Sequence, residues 1–99
     1  MKKLNREEIL LILKDLRPSF SEKYGITKLG IFGSIARNQA SETSDIDIVY
    51  EIKKPSLFTA VHIKEELENK FNVHVDIVRY REKMNPYLKQ RIDVESIYV

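Results

Sequence analysis

The sequence contains no cysteine, which excludes disulfides, thiolate zinc sites and a cysteine nucleophile. Any metal must therefore be held by oxygen or histidine ligands. Long apolar runs are missing as well: residues 9–13 form the longest, far short of the ~20 residues needed to span a bilayer. The first eight residues carry positive charge without an apolar stretch or a small-residue cleavage site. No signal peptide is expected, no membrane partner, and a cytoplasmic location follows as the default. Neither charge sign is in strong excess, with seventeen basic and fifteen acidic residues giving a net +2. A protein that grips a long nucleic acid usually carries a basic stripe. Here only Arg79-Tyr80-Arg81-Glu82-Lys83 approaches one, and a solvated loop explains it, so nucleic acid is not the favoured partner. Internal repeats, low-complexity tracts and linkers are also absent. What is present, 42% hydrophobic and 32% charged residues in a chain of 99, suits one globular domain over residues 1–99 with a single core.

Periodicity sketches the elements. Asn5 can cap a helix whose Ile9, Ile12, Leu13 and Leu16 share one face. Pro18 either ends that helix or opens a further turn with Phe20 and Tyr24, and Gly25 stops it. Residues 28–32 predict a short buried strand running into Gly33-Ser34, and residues 38–44 a polar loop. Residues 45–52 alternate and are rich in β-branched side chains, which predicts a second strand. Ser56 can cap a helix with Leu57, Ala60, Val61, Leu67 and Phe71 inward and Lys64, Glu65, Glu66 and Glu68 in water. Residues 73–78 predict a third strand, and Asn85-Pro86 the cap and first turn of a helix through about Arg91. Residues 96–99 can form a short edge strand. The strand–helix–strand run over 45–78 predicts a right-handed parallel crossover, and the first two strands can pair antiparallel. The sum is an α+β fold, a small mixed sheet with helices mainly on one face.

In a strand, residues i and i+2 point to the same side. Asp45 and Asp47 therefore project together while Ile46 and Ile48 bury behind them. Two carboxylates aimed at one point repel unless a cation joins them, and Mg2+ prefers carboxylates, water and phosphates. On the third strand Val73, Val75 and Ile77 face one way and His74, Asp76 and Val78 the other. Beside the second strand, Asp76 would complete a three-carboxylate cluster suited to two ions about 3.5–4 Å apart, which clamp the attacking and leaving oxygens of a phosphoryl centre. Gly33-Ser34 ends an apolar strand just before a helix-compatible stretch, where close backbone approach and free N–H groups favour an anion. Arg37, one turn later, can reach a phosphate oxygen or a neighbouring carboxylate.

Taken singly, each of these signals is weak; a D-x-D in a strand is usually a solvated edge. In combination, Gly33-Ser34-Ile35-Ala36-Arg37, then Ser44-Asp45-Ile46-Asp47-Ile48-Val49, then Val75-Asp76-Ile77-Val78 and the closing Arg91-Ile92 to Ile97-Tyr98-Val99, the chain resembles the minimal nucleotidyltransferases of the DNA polymerase beta superfamily. The resemblance covers nearly the whole chain and implies that family's mixed sheet with flanking helices. It implies further that Asp45 and Asp47 bind magnesium, that Asp76 completes the site, and that Gly33 and Ser34 hold the triphosphate tail. Asn38 stands where the family often has glycine, but asparagine also tolerates a left-handed backbone. Minimal members are typically paired with a helical HEPN-domain protein, often as antitoxin to a ribonuclease toxin. The resemblance thus implies transfer of AMP from ATP onto a tyrosine hydroxyl of that partner. The domain is too short to carry an acceptor module of its own, so the acceptor is expected on another chain.

Simpler roles compete at several positions. Arg37 divides between substrate contact and a structural ion pair. Glu42 and Ser44 flank the site in the loop; Ser44 is a candidate nucleotide contact, though a turn cap is the simpler role. His62 and His74 show no ligand spacing and read first as structural or solvated, with His74 able to support Asp76 from outside the metal's own ligands. Tyr50 and Tyr80 can stack on a base, yet strand tyrosines more often pack. Arg91 reads most simply as a solvated charge. Two other functions stay open: a non-catalytic module that neutralises a partner by contact, and nucleotidyl transfer to RNA or a small molecule. Decayed enzymes usually lose a carboxylate or the Gly-Ser turn; all are kept here.

Overall fold

In the computed structural model, which describes residues 4–39 and 45–99, four helices and four strands alternate along the chain. Helix α1 spans Arg6–Tyr24, and the Asn5 side chain accepts the Glu8 N–H at 2.8 Å. It neither ends nor restarts at Pro18: the proline sits on the exposed side, where the carbonyl it leaves without a donor can bond to water. Gly25 closes α1 at φ 75°, a conformation that glycine adopts without steric cost.

Strand β1 (Ile26–Phe32) pairs antiparallel with β2 (Ile46–Ile52). A bulge between Ile26 and Lys28 resets the alternation, so that Ile26, Leu29 and Ile31 all reach the same core. Helix α3 (Leu57–Phe71) then carries the chain back to β3 (Val75–Arg79), which lies parallel to β2. The expected strand–helix–strand crossover is present. Strand β4 (Ile97–Tyr98) adds to the free side of β1, giving the order β3-β2-β1-β4. A Cβ at Gly30 would run into the Ile97 carbonyl, so only glycine lets β4 approach so closely.

Two apolar layers hold the sheet. On one face Ile9, Leu13 and Phe20 of α1 and Ile63, Leu67 and Phe71 of α3 pack on Leu29, Ile31, Ile46, Ile48 and Val75. Side chains of this size each contribute about 1.5–3 kcal/mol when fully buried. On the other face helix α4 (Pro86–Glu95) seats Ile92 against Phe32 and Val49. Both long helices thus lie on one face, and α4 covers part of the second. The expected α3 face needs correcting: Leu57 is 84% and Val61 51% exposed, and Ile63 takes the buried place. The buried stripe of α3 thus runs through Ile63, Leu67 and Phe71, and periodicity alone does not reveal that Leu57 and Val61 fall outside it. Ser56 precedes α3 without a side-chain capping bond, whereas Asn85 caps α4 through the N–H groups of Tyr87 and Leu88.

Candidate active site

Register aligns the acidic residues. In the parallel ladder Ile46 lies opposite Val75 and Asp47 opposite Asp76, and the Ile46 N–H donates to the His74 carbonyl at 3.3 Å. Asp45, one residue before β2, is therefore level with His74, one residue before β3. The apolar partners Ile46, Ile48 and Val75 point into the α1/α3 core, which leaves Asp45, Asp47, His74 and Asp76 on the opposite face. Ligand atoms of Asp45, His74 and Asp76 all lie within 4.8 Å of one another, and all three side chains are exposed. Asp47 is half-buried and turned toward β1, where a Cβ on Gly33 would run into its carboxylate. Burial pushes the Asp47 carboxyl above the usual carboxylate range, and the charges of Asp76 and Asp45 add to this. Arg91 and Arg37 pull partly the other way. Among the described residues no lysine or arginine forms an ion pair with Asp45, Asp47 or Asp76. Oxygen donors that repel one another beside an imidazole suit a divalent cation.

The turn after β1 forms the second half. Gly33 takes φ 77° and opens the short helix α2 (Gly33–Ala36). A side chain there would be strained by the backbone angle and blocked by Asp47. Asn38 adopts φ 60°, so the turn keeps the left-handed residue expected there. One carboxylate oxygen of Glu95, at the end of α4, gathers this turn together: Gly33 N–H donates to it at 3.2 Å. The same oxygen pairs with Arg37 Nη1 at 2.9 Å and lies 3.9 Å from Arg91 Nη2. The Glu95 side chain is 16% exposed, while Arg37 and Arg91 reach it from the solvent side. Arg37 also donates from Nε to Gln39 at 3.1 Å.

The structure thus brings Asp45, Asp47, Asp76, Gly33, Ser34 and Arg37 to one end of the sheet, with Arg37 bound to a carboxylate in this state. Ser44 and Glu42 lie outside the described residues. Tyr50 is 5% exposed within the core, and the Tyr80 hydroxyl donates to Asp93 at 2.7 Å, so both serve packing or local bonding. Arg91 is more than a solvated charge: it is half exposed, its guanidinium lies 5.9 Å from the Phe32 ring centre, and its charge reaches Asp47. Sequence reasoning missed Glu95 altogether, and it placed His74 on the face of Asp76, where the structure brings the two to 3.2 Å. For Glu95 no local signal exists, because its partner Gly33 is 62 positions away. For His74 the signal was its shared face with Asp76.

A family model described as nucleotidyltransferase domain matches residues 13–99. The chain is 37% identical over 93 residues to a Methanocaldococcus jannaschii chain whose name assigns it provisionally to the protein adenylyltransferases, covering 93% of this chain and 95% of that one. It is 32% identical over 100 residues to the protein adenylyltransferase MntA of Thermococcus cleftensis, with both chains fully covered. Among solved structures, one provisionally described as a minimal nucleotidyltransferase superposes with a TM-score of 0.80 at 26% identity, covering 98% of each chain. The fold also matches a chain from the complex of a tri-AMPylated Shewanella oneidensis HEPN toxin with an MNT antitoxin, with a TM-score of 0.60 at 21% identity over 99% of this chain and 71% of that one. Parallel acid-bearing strands beside a glycine turn, and a family match over nearly the whole chain, lead to one conclusion: the protein belongs to the nucleotidyltransferase family, among its minimal members.

Proposed function

We propose that this chain transfers AMP from ATP onto a hydroxyl of a helical HEPN-domain protein, most simply a tyrosine, and so acts as the antitoxin of that partner. The observation that carries this reading is the register of β2 and β3, which sets Asp47 against Asp76 and Asp45 beside them, next to the Gly33 turn. Support for the acceptor comes from the relative named a protein adenylyltransferase and from the AMPylated toxin held by a similarly folded antitoxin.

Asp45, Asp47 and Asp76 would hold divalent ions, Mg2+ by its preference for carboxylates and phosphates. When bound, such ions neutralise phosphate charge and favour ionisation of an attacking hydroxyl. The chain's own part is placement. The N–H groups of the Gly33 turn, the Ser34 hydroxyl and Arg37 take the triphosphate tail and hold the α-phosphorus over the acids. Asp76, on edge strand β3, lies where an acceptor from another chain can approach, and receives the hydroxyl proton. The acceptor oxygen bonds to the α-phosphorus, the bond to the bridging oxygen breaks, and pyrophosphate leaves. Ser44 borders this path and would contact the nucleotide from the loop.

The test is to incubate the full chain with Mg2+, ATP labelled at the α-phosphate and the HEPN-domain protein of the same organism. Label on the partner, with a mass gain of whole AMP units, is the expected result. A tight complex whose partner stays unlabelled would replace this reading with neutralisation by contact alone.

A further inference from the structure

We infer that His74 is itself a metal ligand, so that this chain's metal centre is a mixed nitrogen–oxygen site favouring a transition-metal ion such as Mn2+ or Co2+ over Mg2+. The inference rests on the metal-dependent reading above and specifies what the centre takes.

Three observations carry it. Among the described residues, Asp45, His74 and Asp76 bring potential ligand atoms within 4.8 Å of one another, so His74 joins two of the aspartates at one point. Asp47 instead turns toward Gly33, where its carboxylate fills the space that a Cβ would need. His74 would therefore join Asp45 and Asp76 around one ion, with Asp47 beside them for a second.

The ring is also aimed. Its Nε2 lies 3.2 Å from Asp76 Oδ1. Neighbouring ligands of an octahedral ion with bonds of ~2.1 Å stand about 3.0 Å apart. The pair therefore already has about the separation of two adjacent ligands of one ion.

Finally, the other ring nitrogen is anchored from outside this group. Nδ1 lies 3.1 Å from Glu68 Oε2, and the same oxygen accepts the Val75 N–H at 3.1 Å. Glu68 projects from α3, so the carboxylate is fixed to both the helix and the start of β3. Metal-bound histidines usually have their second nitrogen held by such a carboxylate, which fixes the ring's orientation and strengthens it as a donor.

Selectivity follows from the donor chemistry. An imidazole adds little affinity for Mg2+, which keeps oxygen ligands and water, and more for first-row transition ions. His74 is about half exposed and is not among the residues of the apolar core, so its replacement is expected to spare the fold, which the melting temperature of H74A checks.

The test uses the full chain at one fixed pH with Mn2+ alone as probe. Calorimetry should give tighter binding of Mn2+ than of Mg2+ by about tenfold or more. H74A should lose about tenfold in Mn2+ affinity while Mg2+ affinity stays within about twofold. E68Q, which loosens the ring but keeps it, should lose Mn2+ affinity by a smaller factor. Pulsed electron paramagnetic resonance of the Mn2+-loaded protein should show nitrogen modulation from a bound imidazole, abolished in H74A. Mn2+ that binds without nitrogen modulation, in a site lost with D45N, would overturn the role of His74 and leave the metal-dependent reading standing. Binding of neither ion, or binding that D45N and D76N leave unchanged, would overturn both.

Discussion

The two halves of the site differ in how their charges are met. At the acid edge, Asp45, His74 and Asp76 are exposed and close together, and among the described residues no lysine or arginine pairs with the aspartates. At the glycine turn the balance is reversed. Gly33 N–H, Arg37 and Arg91 converge, but a part-buried Glu95 carboxylate already accepts from Gly33, pairs with Arg37 and lies within a long ion pair of Arg91. The turn holds donors suited to an anion and has filled them with one of its own. Under the proposed function a metal ion would enter the first half directly, whereas a triphosphate would compete with Glu95 for the second.

The largest effect should come from emptying the acid edge. Asp45→Asn with Asp47→Asn should lower AMP transfer by ~10³-fold or more, since metal neutralisation of phosphate charge is worth several kcal/mol. The labelled-ATP assay measures this, and near-normal transfer would separate the acids from the chemistry. Next in size is Gly33→Ala, which forces a side chain onto a φ of 77° and against the Asp47 carboxylate. A left-handed alanine alone costs on the order of 1–2 kcal/mol, so the melting temperature should fall along with transfer. A variant that melts normally would mean the turn relaxes without cost.

Glu95→Gln sharpens the comparison itself. If the carboxylate competes with phosphate, its removal should tighten ATP binding a few-fold in a fluorescent-analogue titration, with the amide keeping the shape. Weaker binding would instead make Glu95 a brace that holds Arg37 and the turn in place.

The smallest effect concerns stability. Because burial and the neighbouring acids raise the folded-state pKa of Asp47 above its unfolded value, its contribution is fully present below the unfolded pKa. It is lost as pH rises through the folded value. At neutral pH the metal-free protein therefore carries this carboxylate at a cost. Asp47→Asn should raise its melting temperature by a few degrees, and the gain should fade as the pH is lowered toward 4. Absence of any gain would mean that Arg37 and Arg91 already neutralise Asp47.

Much of this arrangement was legible residue by residue. Strand period alone placed Asp45 with Asp47 and His74 with Asp76 on shared faces, and the turn chemistry of Gly25, Gly33 and Asn38 marked where the chain bends. Helix starts at Asn5 and Asn85 followed from their side chains. Less legible was which helix turns would be covered. Leu57 and Val61 carry the right spacing, yet the packed fold leaves both exposed. Helix continuity through Pro18 also escaped, because it depends on the proline facing water.

Local rules therefore decided the elements, their faces and the residue types able to bind metal and phosphate, since capping, alternation and left-handed turns act over a few bonds. Only the packed fold decided which of those residues meet. The β2/β3 register brought His74 level with Asp45, and docking of α4 through Ile92 carried Glu95 to Gly33. Such contacts join positions far apart in the chain, and their energy exists only once the sheet and both apolar layers have formed.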